Sequence, residues 1–372
     1  MRMLIHSCAS AQPSPAGIGF GVWQIDPAGQ FMRTWKWKSW LLMGRILRSQ
    51  SRLPVSIWHM ATLATRSTKM RSTRGSRAAA RMIDMGEITS ALDAGVERRL
   101  EQVRGTRAIP RVIHQTYFSK DLPAPLRANV DALRALNPGW EHRLYDDADI
   151  ERFIAEEYGP AILRRYHAIA PGYGAARADL FRYLLVYRMG GVYLDVKSGA
   201  DQPFDAVLGP DDAFIVAQWH DSVDKPDTLF HPELRGIQGG EFQQWHVIAA
   251  PGHPFLRAVI ERVLHLIDSY NPYRVGVGRH VLRVTGPIPY TLAIVPLLPQ
   301  HPHRRIRDER TIGLCYSVLA GQAHEGHFRG HYSRRRTPIV GRDRGLIANA
   351  PLVAFLAARS LIRRVLTKLG RG

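Results

Sequence analysis

The stretch Ala175-Ala176-Arg177-Ala178-Asp179-Leu180-Phe181-Arg182-Tyr183-Leu184-Leu185-Val186-Tyr187-Arg188-Met189-Gly190-Gly191-Val192-Tyr193-Leu194-Asp195-Val196-Lys197 reads as a helix, a turn and a strand. Pro171-Gly172-Tyr173-Gly174 breaks the chain before it. Residues 175–189 carry a helical pattern that ends at Gly190-Gly191, the usual stop for a helix. Residues 192–196 are β-branched and aromatic, as strands prefer. An acid at the carboxyl end of such a strand stands where α/β folds place ligand chemistry. On the helix, Asp179 and Arg182 are three apart and share a face, while Arg177, Phe181 and Arg188 point elsewhere. Two acids and an arginine thus converge across one helix-turn-strand unit. Asp accepts from hydroxyls and Arg donates to hydroxyls or phosphate oxygens, a pairing that suits a sugar. The same spacing also fits a plain Asp179–Arg182 helix pair beside a strand-end acid, with nothing bound.

Working outward, the alternation continues in both directions. Upstream, the pattern predicts a helix over 85–103, a strand over 110–115 and an amphipathic helix over 126–136. Asn137-Pro138-Gly139 is a turn, and 141–145 suits a second strand. Asp146, Asp147 and Asp149 are N-cap candidates for a helix through Ile150, Phe153, Ile154 and Tyr158. Downstream, 213–217 and 245–250 read as strands and 255–270 as a helix. Val284-Thr285-Gly286-Pro287 opens another loop-to-helix segment. Strands alternating with helices predict an α/β layered fold with a largely parallel sheet.

The chain has 372 residues, 45% of them hydrophobic, which excludes wholesale disorder. Its two cysteines, Cys8 and Cys315, cannot make a disulfide framework. Cys315 reads as a buried small apolar residue. No run reaches the roughly 18 uninterrupted apolar residues of a spanning helix, so no transmembrane helix is expected. The net charge of +19 is unevenly spread. Residues 1–81 hold 13 Lys and Arg against one acid, and 301–372 hold 15 against 4. The body between them holds 23 against 27. Nucleic-acid binding would need the charge on the folded face, so no nucleic-acid partner is expected.

Residues 1–81 show neither strand nor helix periodicity. They fit an organelle-targeting peptide, a mis-assigned start with Met82 or Met85 as the true first residue, or a disordered basic tail. A folded domain is expected over 82–345 and a basic helix over 346–372. That helix gathers Leu352, Phe355, Leu356, Ile362, Val365, Leu366 and Leu369 in one sector, with Arg359 and Arg363 intruding. It would lie on an anionic membrane surface or stand as a solvated C-terminal helix. Location in the cytoplasm or on the cytoplasmic membrane face follows as an expectation.

Several blocks resemble the glycosyltransferase family 32 domain, the sugar-transferase family containing a DXD motif. They are Ile109-Pro110-Arg111-Val112-Ile113-His114-Gln115-Thr116 and Asn137-Pro138-Gly139-Trp140-Glu141 through Asp146-Asp147-Ala148-Asp149-Ile150. The stretch 177–195 resembles the family signature. Ala250-Pro251-Gly252-His253-Pro254-Phe255 and Thr285-Gly286-Pro287 follow in order. The resemblance covers roughly 109–332. It implies a GT-A fold, with a mixed, mostly parallel sheet flanked by helices. It also implies a nucleotide-diphospho-sugar donor and retaining transfer of a hexose, mannose among the options, to a saccharide or lipid-linked hydroxyl. Asp179, Arg182 and Asp195 would contact the donor sugar. Ile113, His114 and Gln115 would line the nucleotide pocket.

One departure bears on the chemistry. Asp195-Val196-Lys197 stands where the family has Asp-x-Asp. The second acid normally helps hold Mn²⁺ or Mg²⁺, which neutralises the leaving diphosphate. Three readings stay open. Lys197 supplies the positive charge itself, or an ion is held by Asp195 with Asp201 or a histidine such as His327, or the chain is a noncatalytic sugar-nucleotide-binding homologue. His324, His327 and His331 have metal-like spacing but also suit a solvated basic loop. Trp219, His220 and Asp221 follow a strand and suit either an acceptor cleft or an aromatic plug.

Overall fold

The computed structural model describes residues 94–219, 231–319, 327–328, 332–341 and 345–369. His220, Asp221, His324 and His331 lie outside the described residues, as does the whole of 1–93.

The helices are α1 (Ala94–Glu101), α2 (Ala124–Leu136), α3 (Asp147–Tyr158), α4 (Pro160–Ala168), α5 (Gly174–Met189), α6 (Phe204–Val207), α7 (Pro254–Asp268), α8 (Pro287–Ile294) and α9 (Gly345–Leu369). The strands are β1 (Val112–Thr116), β2 (Glu141–Tyr145), β3 (Gly191–Leu194), β4 (Gly199–Ala200), β5 (Phe214–Ala217), β6 (His246–Ala249), β7 (Arg304–Ile306) and β8 (Leu314–Cys315). The main sheet runs β2-β1-β3-β6-β5-β7, and β4 pairs with β8 apart from it. The β1 pairings with β2 and β3, and the β5 pairing with β7, are parallel. Strand β6 runs antiparallel to both its neighbours. The expected mixed, mostly parallel sheet flanked by helices is therefore present.

Two apolar clusters cover the two faces of this sheet. Alternation along the strands assigns the sides, because successive side chains point to opposite faces. Tyr193, Val247, Ala249, Phe214 and Val216 join the cluster built on α5 and α7. Val192, Leu194, Ile248, Ile215 and Ala217 join the other. Helix α5 is buried nearly all round over Leu180–Tyr187, which explains its weak amphipathicity. Helix α3 starts with a capping box, in which Asp146 accepts from Asp149 N–H and Asp149 accepts in return.

The Gly190-Gly191 turn brings α5 hard against the sheet. Gly190 has φ +65°, and a Cβ there would sit 2.5 Å from Pro251 Cδ and 2.7 Å from Pro110 Cδ. Only glycine accepts that conformation and that approach together. The turn fixes the register Ile113↔Val192 and His114↔Tyr193. Since β1 and β3 are parallel, Thr116 and Asp195 emerge at one edge of the sheet. The segment entering the antiparallel β6, Gln243 to Trp245, arrives at the same edge.

Two local expectations are corrected. The strand expected over 192–196 ends at Leu194, because the chain turns through a Ser198 N–H bond to the Asp195 carbonyl. Cys315 is exposed rather than buried, because two-residue β8 lies at the rim and its thiol faces the Ser317 carbonyl at 3.3 Å. The run 278–300, which contains α8, is long and apolar enough to cross a membrane. In this fold 61% of its apolar window is buried, as in the core helix of a globular domain.

Candidate active site

At the sheet edge where β1 and β3 end, a cavity of about 480 Å³ opens. Thr116, Tyr117 and Phe118 line it after β1, Asp195 and Lys197 after β3, and Gln243, Gln244 and Trp245 before β6. Asp179 and Arg182 reach it from α5.

Arg182 organises this floor. Its Nη2 lies 3.2 Å from Asp179 Oδ1 and 3.0 Å from Asp195 Oδ1. Its Nη1 donates to Gln244 Oε1 at 2.9 Å, and the guanidinium stacks 4.8 Å from the Tyr193 ring centroid. Asp179 also accepts from Thr285 Oγ1 at 2.9 Å and Gln244 Nε2 at 3.2 Å. The Asp179 and Arg182 side chains are only 7% and 4% exposed, against 26% for Asp195. Burial raises the Asp179 carboxyl above the usual range, opposed by the Arg182 charge and the Thr285 hydroxyl. Burial alone would lower the Arg182 pKa, but Asp195 and its other neighbours outweigh it and hold the guanidinium charged.

The second motif position is a cation. Lys197 is 8% exposed, and its ammonium sits 3.9 Å from the Tyr316 ring centroid. Two links hold the lysine segment near Tyr316: β4 pairs with β8, and Ser198 Oγ donates to the Tyr316 carbonyl at 2.8 Å. Asn129 Nδ2 donates to the carbonyls of Val196 and Ser198 at 3.0 and 2.8 Å from the other side.

Other expected residues fall elsewhere. Ile113, His114 and Gln115 are fully buried and lie behind the cavity wall. His114 bonds the Gly190 carbonyl at 3.1 Å and Tyr145 Oη at 3.0 Å. Gln115 donates to the Asp195 carbonyl at 3.4 Å. The cavity lining begins one residue later, at Thr116. The His327 carbonyl accepts from Tyr117 Oη at 2.5 Å, and the following residue, Phe328, is the one that lines the cavity. Asp201 is exposed and stands beside Gly313.

The family's metal does not fit the residues present. Asp195 already pairs with Arg182, and the next motif position is an ammonium. Among the described residues no group of three or more His, Cys, Asp or Glu is placed to hold an ion.

Glu241 is a lining carboxylate that sequence reasoning missed. Burial raises its pKa, opposed by the Trp219 Nε1 hydrogen bond at 2.7 Å. Tyr332 lines the cavity nearby. Burial and the charge of Asp179 push its hydroxyl up to about 12, so it is a neutral donor at physiological pH. No local motif marks Glu241.

Residues 123–215 match the family model described as a glycosyltransferase sugar-binding region containing a DXD motif. The resemblance read from the sequence therefore holds over the centre of the chain. Inositol phosphoceramide mannosyltransferase 3 of Schizosaccharomyces pombe is 29% identical over 182 residues, covering 49% of this chain and 43% of its own. The initiation-specific alpha-1,6-mannosyltransferase of the same organism is 27% identical over 202 residues, covering 51% and 49%. The chain thus spans less than half the length of these relatives. Among solved structures, PaToxG Glycosyltransferase overlays with a TM-score of 0.35 at 14% identity, covering 55% of this chain and 76% of that one.

Proposed function

We propose that this chain is a glycosyltransferase that moves a hexose, mannose foremost, from a nucleotide-diphospho-sugar to a hydroxyl, with retention at the transferred carbon. The acceptor is a saccharide or a lipid-linked sugar or polyol. The reading is carried by Arg182 held between Asp179 and Asp195 at the mouth of β3. It is supported by the match over 123–215 and by the names of the relatives, which are mannosyltransferases.

Asp195 is the carboxylate of this set that a ligand can reach, and it accepts from hydroxyls of the donor sugar. Asp179 and Arg182 are positioning residues, since their polar atoms are already engaged by each other, Gln244 and Thr285. Catalysis is mainly electrostatic. Fixed charges facing the departing diphosphate and the oxocarbenium-like sugar need no reorganisation during the reaction. Aromatic faces at Tyr117, Phe118 and Phe328 offer the planar nucleobase a wall. Helix α9 exposes Phe355, Leu361 and Ile362 beside Arg359 and Arg364. That surface suits peripheral contact with a membrane carrying the acceptor.

The test is release and transfer of labelled sugar from guanosine- and uridine-diphospho-sugars by the 372-residue chain, beside Asp195→Ala. Turnover in the wild type that disappears in the variant supports the reading. Binding without turnover, with acceptors supplied, favours a noncatalytic sugar-nucleotide-binding protein. No binding of any donor overturns both.

A further inference from the structure

Lys197 is a buried cation in an unusual setting. Its side chain lines the cavity and is 8% exposed. Among the described residues no carboxylate lies within ion-pair distance of it, and its ammonium rests on the Tyr316 ring. Among the described residues the cavity's other cations are committed. Arg182 is shared by two carboxylates, and Arg177 donates through two nitrogens to the Ile169 carbonyl at 3.0 and 2.9 Å. Withdrawing an ammonium from water without a counter-charge is costly. A π-face offsets only part of that cost. A site that keeps such a charge is prepared for an anion.

The charge balance gives the anion's partner role a definite size. Replacing an aspartate by a lysine shifts the local charge by +2, which is the charge of the divalent ion that an acid there would help to hold. Asp179 and Asp195 are then matched by Arg182 and Lys197, and the floor is neutral before the ligand enters. A divalent ion added beside Asp195 would face two cations, Arg182 and Lys197.

We propose that Lys197 is the diphosphate ligand of this chain and takes the place of the divalent cation, so that the nucleotide part of the donor binds without metal. This rests on the glycosyltransferase reading and deepens it. Lys197 is positioned for the task by three restraints: the β4–β8 pairing, the Asn129 bonds to the flanking carbonyls and the Tyr316 ring. Its ammonium acts as a point charge toward phosphate oxygens.

The experiment is equilibrium binding of GDP and UDP to the full chain, each with Mn²⁺, with Mg²⁺ and with EDTA. The wild type is expected to bind one of them with Kd unchanged within about twofold in EDTA. Lys197→Met is expected to weaken that diphosphate at least tenfold while leaving the matching monophosphate within about threefold. Lys197→Asp is expected to bind weakly in EDTA and to recover when Mn²⁺ is added, with bound Mn²⁺ visible by electron paramagnetic resonance. Wild-type binding that vanishes in EDTA overturns the inference and leaves the glycosyltransferase reading standing. That comparison uses no variant, so misfolding of a substituted chain does not obscure it. Failure to bind any nucleoside diphosphate under any condition overturns the glycosyltransferase reading, and the inference with it.

Discussion

Arg182 and Asp195 meet at 3.0 Å across the gap between helix α5 and the end of strand β3. The helix supplies the cation and the residue after the strand supplies the partly exposed acid, so the Gly190-Gly191 turn between them sets the geometry of the site. Asp195→Ala should abolish sugar transfer, by about 10² or more, as removal of an electrostatic contact to the reacting centre does. Its thermal midpoint should change little, since Arg182 keeps Asp179 and Gln244. Measured kcat and Tm together check this. A variant with near-normal kcat removes Asp195 from the chemistry.

Asp179→Ala should behave in the opposite way, with stability falling first. The substitution leaves the buried Arg182 with one carboxylate, Asp195, beside Gln244, and removes the acceptor of the Thr285 hydroxyl. Breaking one side of a buried pair costs about 3–5 kcal/mol. Asp179→Asn keeps the shape and should lose less. Urea unfolding reads both. Equal midpoints for wild type and Asp179→Ala would mean that the pairing contributes nothing.

Gly190→Ala should destabilise the fold by several kcal/mol. The added methyl meets both Pro251 and Pro110 inside 2.8 Å on a backbone with positive φ. Gly139→Ala is the control, since nothing lies within 4 Å of its Cβ position. It should stay within about 0.5 kcal/mol of wild type.

Stability should fall on acidification below the ordinary histidine range. Burial lowers the pKa of His114 and of His246 from 6.5 to about 3. Between those values these two histidines bind protons in the unfolded chain that they do not bind in the native one, so unfolding is favoured as pH drops, and His142 and His253, lowered by burial to about 4, act in the same direction. Each histidine adds a slope of about 1.4 kcal/mol per pH unit in that window. Asp179, whose pKa burial raises, opposes part of this. Denaturation midpoints at pH 7.5 and 5.5 test it: the lower pH should give the lower midpoint, and His246→Gln should flatten the difference.

Deleting residues 346–372 should reduce association with phosphatidylserine-containing vesicles and remove its salt sensitivity. Arg359 Nη1 donates to the Tyr273 carbonyl at 3.2 Å, so the middle of α9 is tied to the folded body. Leu361 and Ile362 beyond it are 63% and 60% exposed. Unchanged sedimentation with vesicles would leave α9 a solvated helix.

The helix-turn-strand unit and its Asp179, Arg182 and Asp195 were legible because they are local. A three-residue spacing, a double glycine and a β-branched run each have one dominant physical reading. The capping acids of α3 were legible for the same reason. The antiparallel sense of β6 was not, since an apolar run carries no direction. The precise lining after β1 was missed because burial on both faces removes the alternation that marks an exposed side. Helix α4 was overlooked although Gly159-Pro160 signals a stop and a start. Tyr316, Glu241 and Tyr332 are brought to the cavity by tertiary packing alone.

The β4–β8 pairing makes one wall of the cavity a composite. Ser198 and Tyr316, joined side chain to backbone, stand 118 positions apart, and Tyr316 lies beyond the stretch that carries the family match. A chimera exchanged at the border of that stretch would import one half of the lysine's seat and leave the other behind. The natural crossover points for re-engineering this pocket therefore lie in two places at once, and positions 197 and 316 are best inherited, swapped or randomised as a pair.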